Sequence, residues 1–287
     1  MPARLKRLFR RPDFRAHPVR AVARRIVWRL RWALVRRPWC IRSAAGFRLW
    51  IPRSGSGALI YYQGLSEPET ARFLARVLQP GMIFLDVGAH FGEYTVMAAR
   101  WVGSSGRVHA FEPQPSTFAL LESNVAANGL ENVRLNCCAV ADCDGEATFW
   151  ERTEPASSSL SSGGPRDYAV RRAYRVPVRT LDSYCGQHGL LPDLIKVDVE
   201  GAERLVLLGA RELCSLPPGQ APLWLLEHSP SACARFGDRL ERLAQTLAGF
   251  GYSCFALSAA GEPQPMAGLP PAEVPTQNLV ASKRRLT

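Results

Sequence analysis

Short apolar runs begin near Met82, Val108, Val133, Asp193, Pro222, Tyr252 and Asn278, and between them apolar positions return at helical spacing. Strands alternating with helices, mostly 25 to 30 residues apart, predict an α/β protein with a doubly wound, mostly parallel Rossmann-like sheet covered on both faces. The helix after the second strand shows Phe118, Leu121 and Val125 on one face and Gly129 as its stop. A later helix opens with Asp238 and Glu241 at capping-box spacing and continues through Leu240, Leu243, Leu247 and Phe250. One interval is twice as long, the 60 residues from Val133 to Asp193. Strand-like stretches at 147–150 and 174–178 flank a Ser/Gly-rich loop at 156–164, which predicts an inserted hairpin or flap over 143–185 of the kind that closes over substrates.

Residues 41–80 read as a lead-in hairpin and helix. Phe47, Leu49 and Ile51 precede Ser54-Gly55-Ser56-Gly57 and Leu59 and Tyr61 follow it, an alternation that predicts two strands about that turn. A helix starts at Glu67-Pro68-Glu69 and Gln79-Pro80-Gly81 ends it. Residues 1–40 form a basic arm in which Val22, Ile26, Leu30 and Ala33 share one side of a helical pattern and Arg20, Arg24 and Arg31 another. Arg29 and Arg31 break the apolar run well short of the roughly 20 residues that cross a membrane, and no uninterrupted apolar segment or cleavage site marks a signal peptide. Such a helix suits peripheral contact with an anionic membrane or an acidic partner, the alternative being a solvated extension.

The net charge of +11 suggests nucleic acid until it is localised. The arm carries 13 Lys and Arg against one acid, Asp13, so the other 247 residues sum to −1. A nucleic-acid partner would have to be met by the arm or a local patch, and none is expected. Arginine outnumbers lysine 33 to 3, a bias of composition. Eight cysteines lie scattered with no C-x-x-C pair and no metal-ligand spacing, the pattern of reduced thiols in a cytoplasmic protein. Adjacent Cys137 and Cys138 point to opposite faces of a strand and read as small buried residues.

The most informative stretch is FLDVGAHFGEYT, residues 84–95, where an apolar strand ends in Asp86 and enters a turn holding Gly88 and Gly92. Glycine lets a ligand approach the backbone closely, and the helix that follows offers free N–H groups. Glu112 ends the next strand, 24 positions beyond Gly88, where a carboxylate accepts hydrogen bonds from ribose hydroxyls. A dinucleotide fits poorly, because the middle glycine of its G-x-G-x-x-G turn is replaced by His90. S-adenosylmethionine has a ribose but no phosphate, and its amino-acid end can rest near Gly88 with Asp86 available to the ammonium directly or through water.

The fourth strand runs into Asp198, Glu200 and Glu203, and the fifth ends in Glu227 and His228. Parallel strands emit these ends into the ligand crevice, where a carboxylate or imidazole can take the proton from an attacking hydroxyl. Asp198 and His228 are the first candidates for that base, with Glu227 and Glu203 next. DVEG occupies the place where amine-directed methyltransferases carry an Asn/Asp-Pro-Pro-aromatic string, so oxygen is the expected acceptor. No spacing specifies a metal, and none is expected. Trp150, Tyr168, Tyr174 and Phe236 are candidate lining residues for the acceptor.

The ordered succession FLDVGAHFGEYT, VHAFEPQPSTFALLESNVAANG, NCCAVADCDGEATF, SSSLSS, VPVRTLDSY, DLIKVDVEGAERLVLLGA, LLEHSP, GYSCFAL and NLVASKRR resembles the FkbM family of S-adenosylmethionine-dependent methyltransferases from about Tyr62 onward. The resemblance implies a class I methyltransferase fold, a seven-stranded sheet whose last strand is antiparallel, and O-methylation of a sugar, glycolipid or other secondary metabolite. By position, it assigns Asp86 and Gly88 to the first cofactor motif, Glu112 to the ribose and Ala139 and Asp142 to the adenine side. It assigns Asp198, a cofactor-binding candidate as well as a candidate base, and Glu200 to the D-x-E-G signature, and Glu67 to a cofactor-contacting lead-in segment. His90 departs from the family's asparagine. An RNA-directed methyltransferase using the arm, a non-catalytic Rossmann-like binding protein and a nicotinamide-dependent oxidoreductase are the alternatives.

Overall fold

The structure, a computed structural model, describes residues 12–43, 46–153, 158–161, 169–266 and 276–286. The chain divides into a first unit that ends at Glu67 and a second that begins at Pro68. The first unit therefore extends beyond the arm that the charge pattern ends at Cys40.

In the first unit, α1 (Pro12–Ala16) and α2 (Pro18–Leu34) precede β1 (Trp39–Arg42), β2 (Arg48–Ile51) and α3 (Gly55–Gln63). Pro18 sits in the first turn of α2, where its missing N–H costs nothing. Trp28 on α2 is the centre of an aromatic cluster, with ring centroids 5.4 Å from Trp32, 5.6 Å from Tyr61 and 6.4 Å from Trp39. The arm's helix is thus a packed element whose buried face is Ala21, Trp28 and Trp32, not the aliphatic side.

The lead-in hairpin lies one strand earlier than its sequence pattern predicts. β1 pairs antiparallel with β2, Cys40 opposite Trp50, and residues 55–63 are helical. Ser54 decides this locally: its Oγ accepts the N–H of Gly57 at 3.0 Å, an N-cap, and Gly64 closes the helix with φ +95°. A short apolar run such as Leu59-Ile60-Tyr61-Tyr62 suits either element, so the cap settles which forms.

The second unit opens with α4 (Pro68–Val77) and continues β3 (Ile83–Val87), α5 (Glu93–Trp101), β4 (Arg107–Phe111), α6 (Pro115–Ala127) and β5 (Val133–Asn136). An insertion of β6 (Ala139–Val140), β7 (Gly145–Arg152) and β8 (Val170–Arg179) leads to α7 (Leu181–His188) and β9 (Leu194–Val197). Then come α8 (Glu203–Leu208), α9 (Arg211–Ser215), β10 (Leu223–His228), α10 (Pro230–Cys233), a 3-10 turn (Ala234–Phe236) and α11 (Leu240–Gly249). The chain finishes with β11 (Ser253–Leu257), β12 (Pro263–Pro265) and β13 (Gln277–Ser282).

The main sheet has the order β12-β11-β13-β10-β9-β3-β4-β5. Strands β5, β4, β3, β9 and β10 are parallel, and β13 runs antiparallel between β10 and β11. This is the doubly wound, mostly parallel sheet with an antiparallel late strand that the sequence predicts, extended by the short edge strand β12. The central strands are apolar on both sides because both faces are covered: Leu121 and Val125 of α6 pack with Ala110 on one, Leu243 and Leu247 of α11 with Trp224 and Leu226 on the other. The insertion is a three-stranded sheet of its own, β7 and β8 antiparallel with Phe149 opposite Tyr174, and β6 alongside β8.

Candidate active site

The strand order brings the C-terminal ends of β3, β4, β9 and β10 to one edge, where the phases of chain entry and return leave a crevice. Asp86, the fourth residue of β3, is fully buried; its Oδ2 accepts the Thr95 hydroxyl at 2.6 Å and its Oδ1 lies 3.8 Å from Lys196 Nζ. Burial pushes its carboxyl up, against the pull of Lys196. With no exposed surface to meet a cofactor's ammonium, Asp86 supports the turn from below.

That turn is tied to both neighbouring strands. Gly88 and Ala89 donate to the Phe111 carbonyl at 3.0 and 2.9 Å, and Asp198 donates its N–H to Val87 at 2.9 Å. Gly88 has φ +78°, and a Cβ there would coincide with the Asp198 carbonyl. His90 also takes a left-handed φ, 53°, a conformation that asparagine tolerates and most residues avoid. Its Nε2 is buried without a hydrogen-bond partner, and burial drives its imidazole down to about 4.

Glu112 follows β4 and is buried; Oε2 accepts the His90 N–H at 3.0 Å and Oε1 the Gln114 N–H at 2.8 Å. Each oxygen keeps a lone pair for a ribose hydroxyl. Burial raises its carboxyl to about 7 even with both backbone donors opposing the shift. The charge of Glu112 also acts on Cys137, after β5, and on Tyr174 of the flap. Ala139 is instead buried in the flap sheet's core, and Asp142 is exposed beside Gly209, past the end of α8 remote from its first residue, Glu203. The adenine-side positions that the sequence suggests thus belong to the insertion. Glu67 is the last residue of the first unit.

Asp198, Glu200 and Glu227 converge, each placing a carboxylate oxygen within 4.8 Å of the other two. Asp198 and Glu227 hydrogen-bond through their side chains, which requires one proton between them. Burial works against the charge of Asp198, but Lys196 at 3.4 Å and the bond with Glu227 outweigh it and hold its pKa below the usual carboxylate value. Glu200 has φ 55° and faces Arg235 at 3.3 Å; burial, then the Asp198 charge, pushes it up to about 8. Three carboxylate oxygens this close could hold a hard divalent cation, and sequence spacing does not specify their juxtaposition.

The other two proposed bases are held elsewhere. His228 is buried, with Nδ1 3.4 Å from Cys233 Sγ, and burial lowers its pKa. Along β10 successive side chains alternate, so with Glu227 directed to Asp198, His228 faces away beneath α10. Glu203 accepts the N–H groups of Gly201 at 3.0 Å and Val199 at 3.3 Å, and its other oxygen accepts the Cys233 thiol at 3.6 Å. It organises the D-x-E-G loop and is buried to the point that its pKa rises to about 7. The sequence offers Lys196 as a pairing partner for these acids, and the structure pairs it with Asp198 and Asp86; Arg235 carries no signal in the sequence.

The methyltransferase FkbM domain matches residues 86–254, from the first motif acid through β11. The chain belongs to the FkbM methyltransferase family. The matched model is that of a methyltransferase domain, and S-adenosylmethionine is the cofactor that the resemblance implies. Curated relatives include the 31-O-demethyl-FK506 methyltransferase FkbM of Streptomyces tacrolimicus, 29% identical over 47% of this chain and 62% of that protein. Methyltransferase 1 of Beauveria bassiana is 28% identical over 44% of this chain and 57% of its own length. The chain thus spans less than two-thirds of these relatives. Among solved structures, Aeropyrum pernix fibrillarin with natively bound S-adenosylmethionine aligns with 75% of this chain and 76% of its own at 13% identity, TM-score 0.41. No described helix is long and apolar enough to cross a membrane.

The crevice fits the cofactor on its own geometry. Glu112 is buried, fixed by two N–H donors and still able to accept.

Proposed function

We propose that this FkbM-family enzyme methylates a hydroxyl oxygen on a sugar, glycolipid or other secondary metabolite. The observation that carries the reading is the pairing of Asp198 with Lys196 at the edge of the Gly88 turn: a carboxylate kept ionised where an attacking hydroxyl must lose its proton. Bound S-adenosylmethionine supplies the electrophilic methyl group. Asp198 takes the acceptor's proton, Glu227 orients Asp198, and Glu112 holds the ribose. The name of the Streptomyces relative, which specifies a 31-O position, agrees with oxygen as acceptor.

The flap supports the placement of the acceptor. Arg152, at the end of β7, donates to the Ser161 carbonyl at 3.2 Å, and the Ser161 hydroxyl donates to the Arg235 carbonyl at 3.3 Å. Arg235 in turn grips Glu200, so the flap reaches the D-x-E-G loop and leaves Trp150, Tyr174 and Phe236 as lining candidates. Tyr168 lies outside the described residues. The family gives no support to the RNA-directed, non-catalytic or nicotinamide alternatives. The test is incubation with methyl-labelled S-adenosylmethionine and a panel of hydroxyl-bearing glycosides and glycolipids, with RNA alongside. A labelled methyl ether is expected; label in an amine or in RNA would overturn the reading.

A further inference from the structure

Helix α2 is apolar on two opposite sides. Its inner side, Ala21, Trp28 and Trp32, is buried in the aromatic cluster of the first unit. Its outer side is aliphatic and bare: Val19 is 82% exposed, Ile26 52%, Leu30 57% and Leu34 82%. Of the ten strongly exposed large apolar side chains among the described residues, seven lie between Val19 and Val35. Single exposed apolar residues are ordinary, but a continuous helical stripe of them marks an interaction surface.

The stripe is bordered by cations. At 100° per residue, Arg20, Arg24 and Arg31 fall along one border and Arg29 along the other, and Asp13 is the only acid between residues 12 and 43. Arg20 and Arg24, with Arg42 and Tyr61, also line a cavity of about 610 Å³ in the same unit. Arg24 Nε is buried there with no hydrogen bond. A second copy of the chain would set these arginines against their like, and an acidic protein would leave the aliphatic stripe uncovered. An anionic bilayer answers both, with acyl chains for the stripe and phosphate headgroups for the borders.

We infer that α2 docks the protein on anionic membrane surfaces, lying in the interface with Val19, Ile26, Leu30 and Leu34 downward. This stands independently of the methyltransferase reading. The test is co-sedimentation of the full chain with extruded vesicles of phosphatidylcholine alone or phosphatidylcholine with phosphatidylglycerol. The wild type is expected to partition at least about tenfold more strongly to the anionic vesicles and to come off at high salt. Ile26→Glu with Leu30→Glu, exposed positions that leave the buried face intact, is expected to abolish binding. Arg20→Gln with Arg29→Gln is expected to weaken it by roughly tenfold or more. Circular dichroism and S-adenosylhomocysteine titration of each variant separate lost docking from lost folding. Partition equal for wild type and the glutamate variant would overturn the inference. So would absence of vesicle binding, including the case of a dimer that the glutamate variant dissociates, which would assign the stripe to a second copy.

Discussion

Lys196 Nζ lies 3.4 Å from Asp198 Oδ2, and the same buried ammonium is 3.8 Å from Asp86 Oδ1. One cation on β9 thus joins the acid under the cofactor turn to the acid at the crevice edge, and the ring of Tyr94 covers it at 5.1 Å from its centroid. A buried charge left without its partner is costly, so Lys196→Met is expected to destabilise the protein by about 3 to 5 kcal/mol in urea unfolding. A loss within about 0.5 kcal/mol would contradict the bridge.

Gly88→Ala should cost more than backbone strain alone. The left-handed φ costs about 1 to 2 kcal/mol for any residue with a Cβ, and here the methyl also meets the Asp198 carbonyl. Gly103, with φ +64° and open space around it, isolates the strain component. Gly103→Ala is expected to lower stability by about 1 to 2 kcal/mol and leave S-adenosylhomocysteine binding intact, whereas Gly88→Ala loses binding as well. Equal behaviour of the two would show that the close approach is unimportant.

The strand ends, the alternation of strands and helices and the insertion were legible because each is written in apolar runs that stop at an acid or a glycine. Conformation at single residues was not. Nothing in the string marks His90 and Glu200 as left-handed, and Lys196 reads as an intruder in an apolar strand until Asp86 and Asp198 flank it. The hairpin lies earlier than the alternation predicts because a cap by Ser54 outweighs a strand-like pattern. The signal that separates Glu227 from His228 was present: adjacent residues of one strand face opposite ways.

That separation has a kinetic consequence. Asp198→Asn is expected to lower kcat by about 100-fold or more with cofactor affinity retained, because it removes the proton acceptor at the crevice. His228→Gln, beneath α10, is expected to leave turnover close to wild type once folding is checked. The reverse pattern would move the base to His228.

Stability should also depend on pH in a particular direction. Burial raises Glu112 and Glu203 to about 7 and Glu200 to about 8. A carboxyl raised on folding contributes stability that is complete below its unfolded value, about 4.3, and is lost as pH rises through the folded value. Asp198 works the other way: its lowered pKa contributes stability present above about 3.9 and lost as pH falls through the folded value. The buried imidazoles of His90 and His109, lowered to about 4, oppose the carboxyls up to the ordinary histidine value of about 6.5, so thermal melts of the ligand-free protein are expected to decline between about pH 6.5 and about pH 8. A melting temperature that climbs over that range would contradict the buried carboxyls.

The most direct measurement is calorimetric titration of the full chain with S-adenosylhomocysteine, with NAD as the control ligand and Glu112→Ala as the second protein. The account predicts binding of S-adenosylhomocysteine alone, weakened by about 1.5 to 3 kcal/mol in the variant as the charge-assisted bonds to the ribose are removed. The variant should also melt earlier, because the N–H groups of His90 and Gln114 lose their acceptor. Unchanged affinity in a folded Glu112→Ala protein, or no binding by the folded wild type, would contradict the assignment of this crevice to the cofactor.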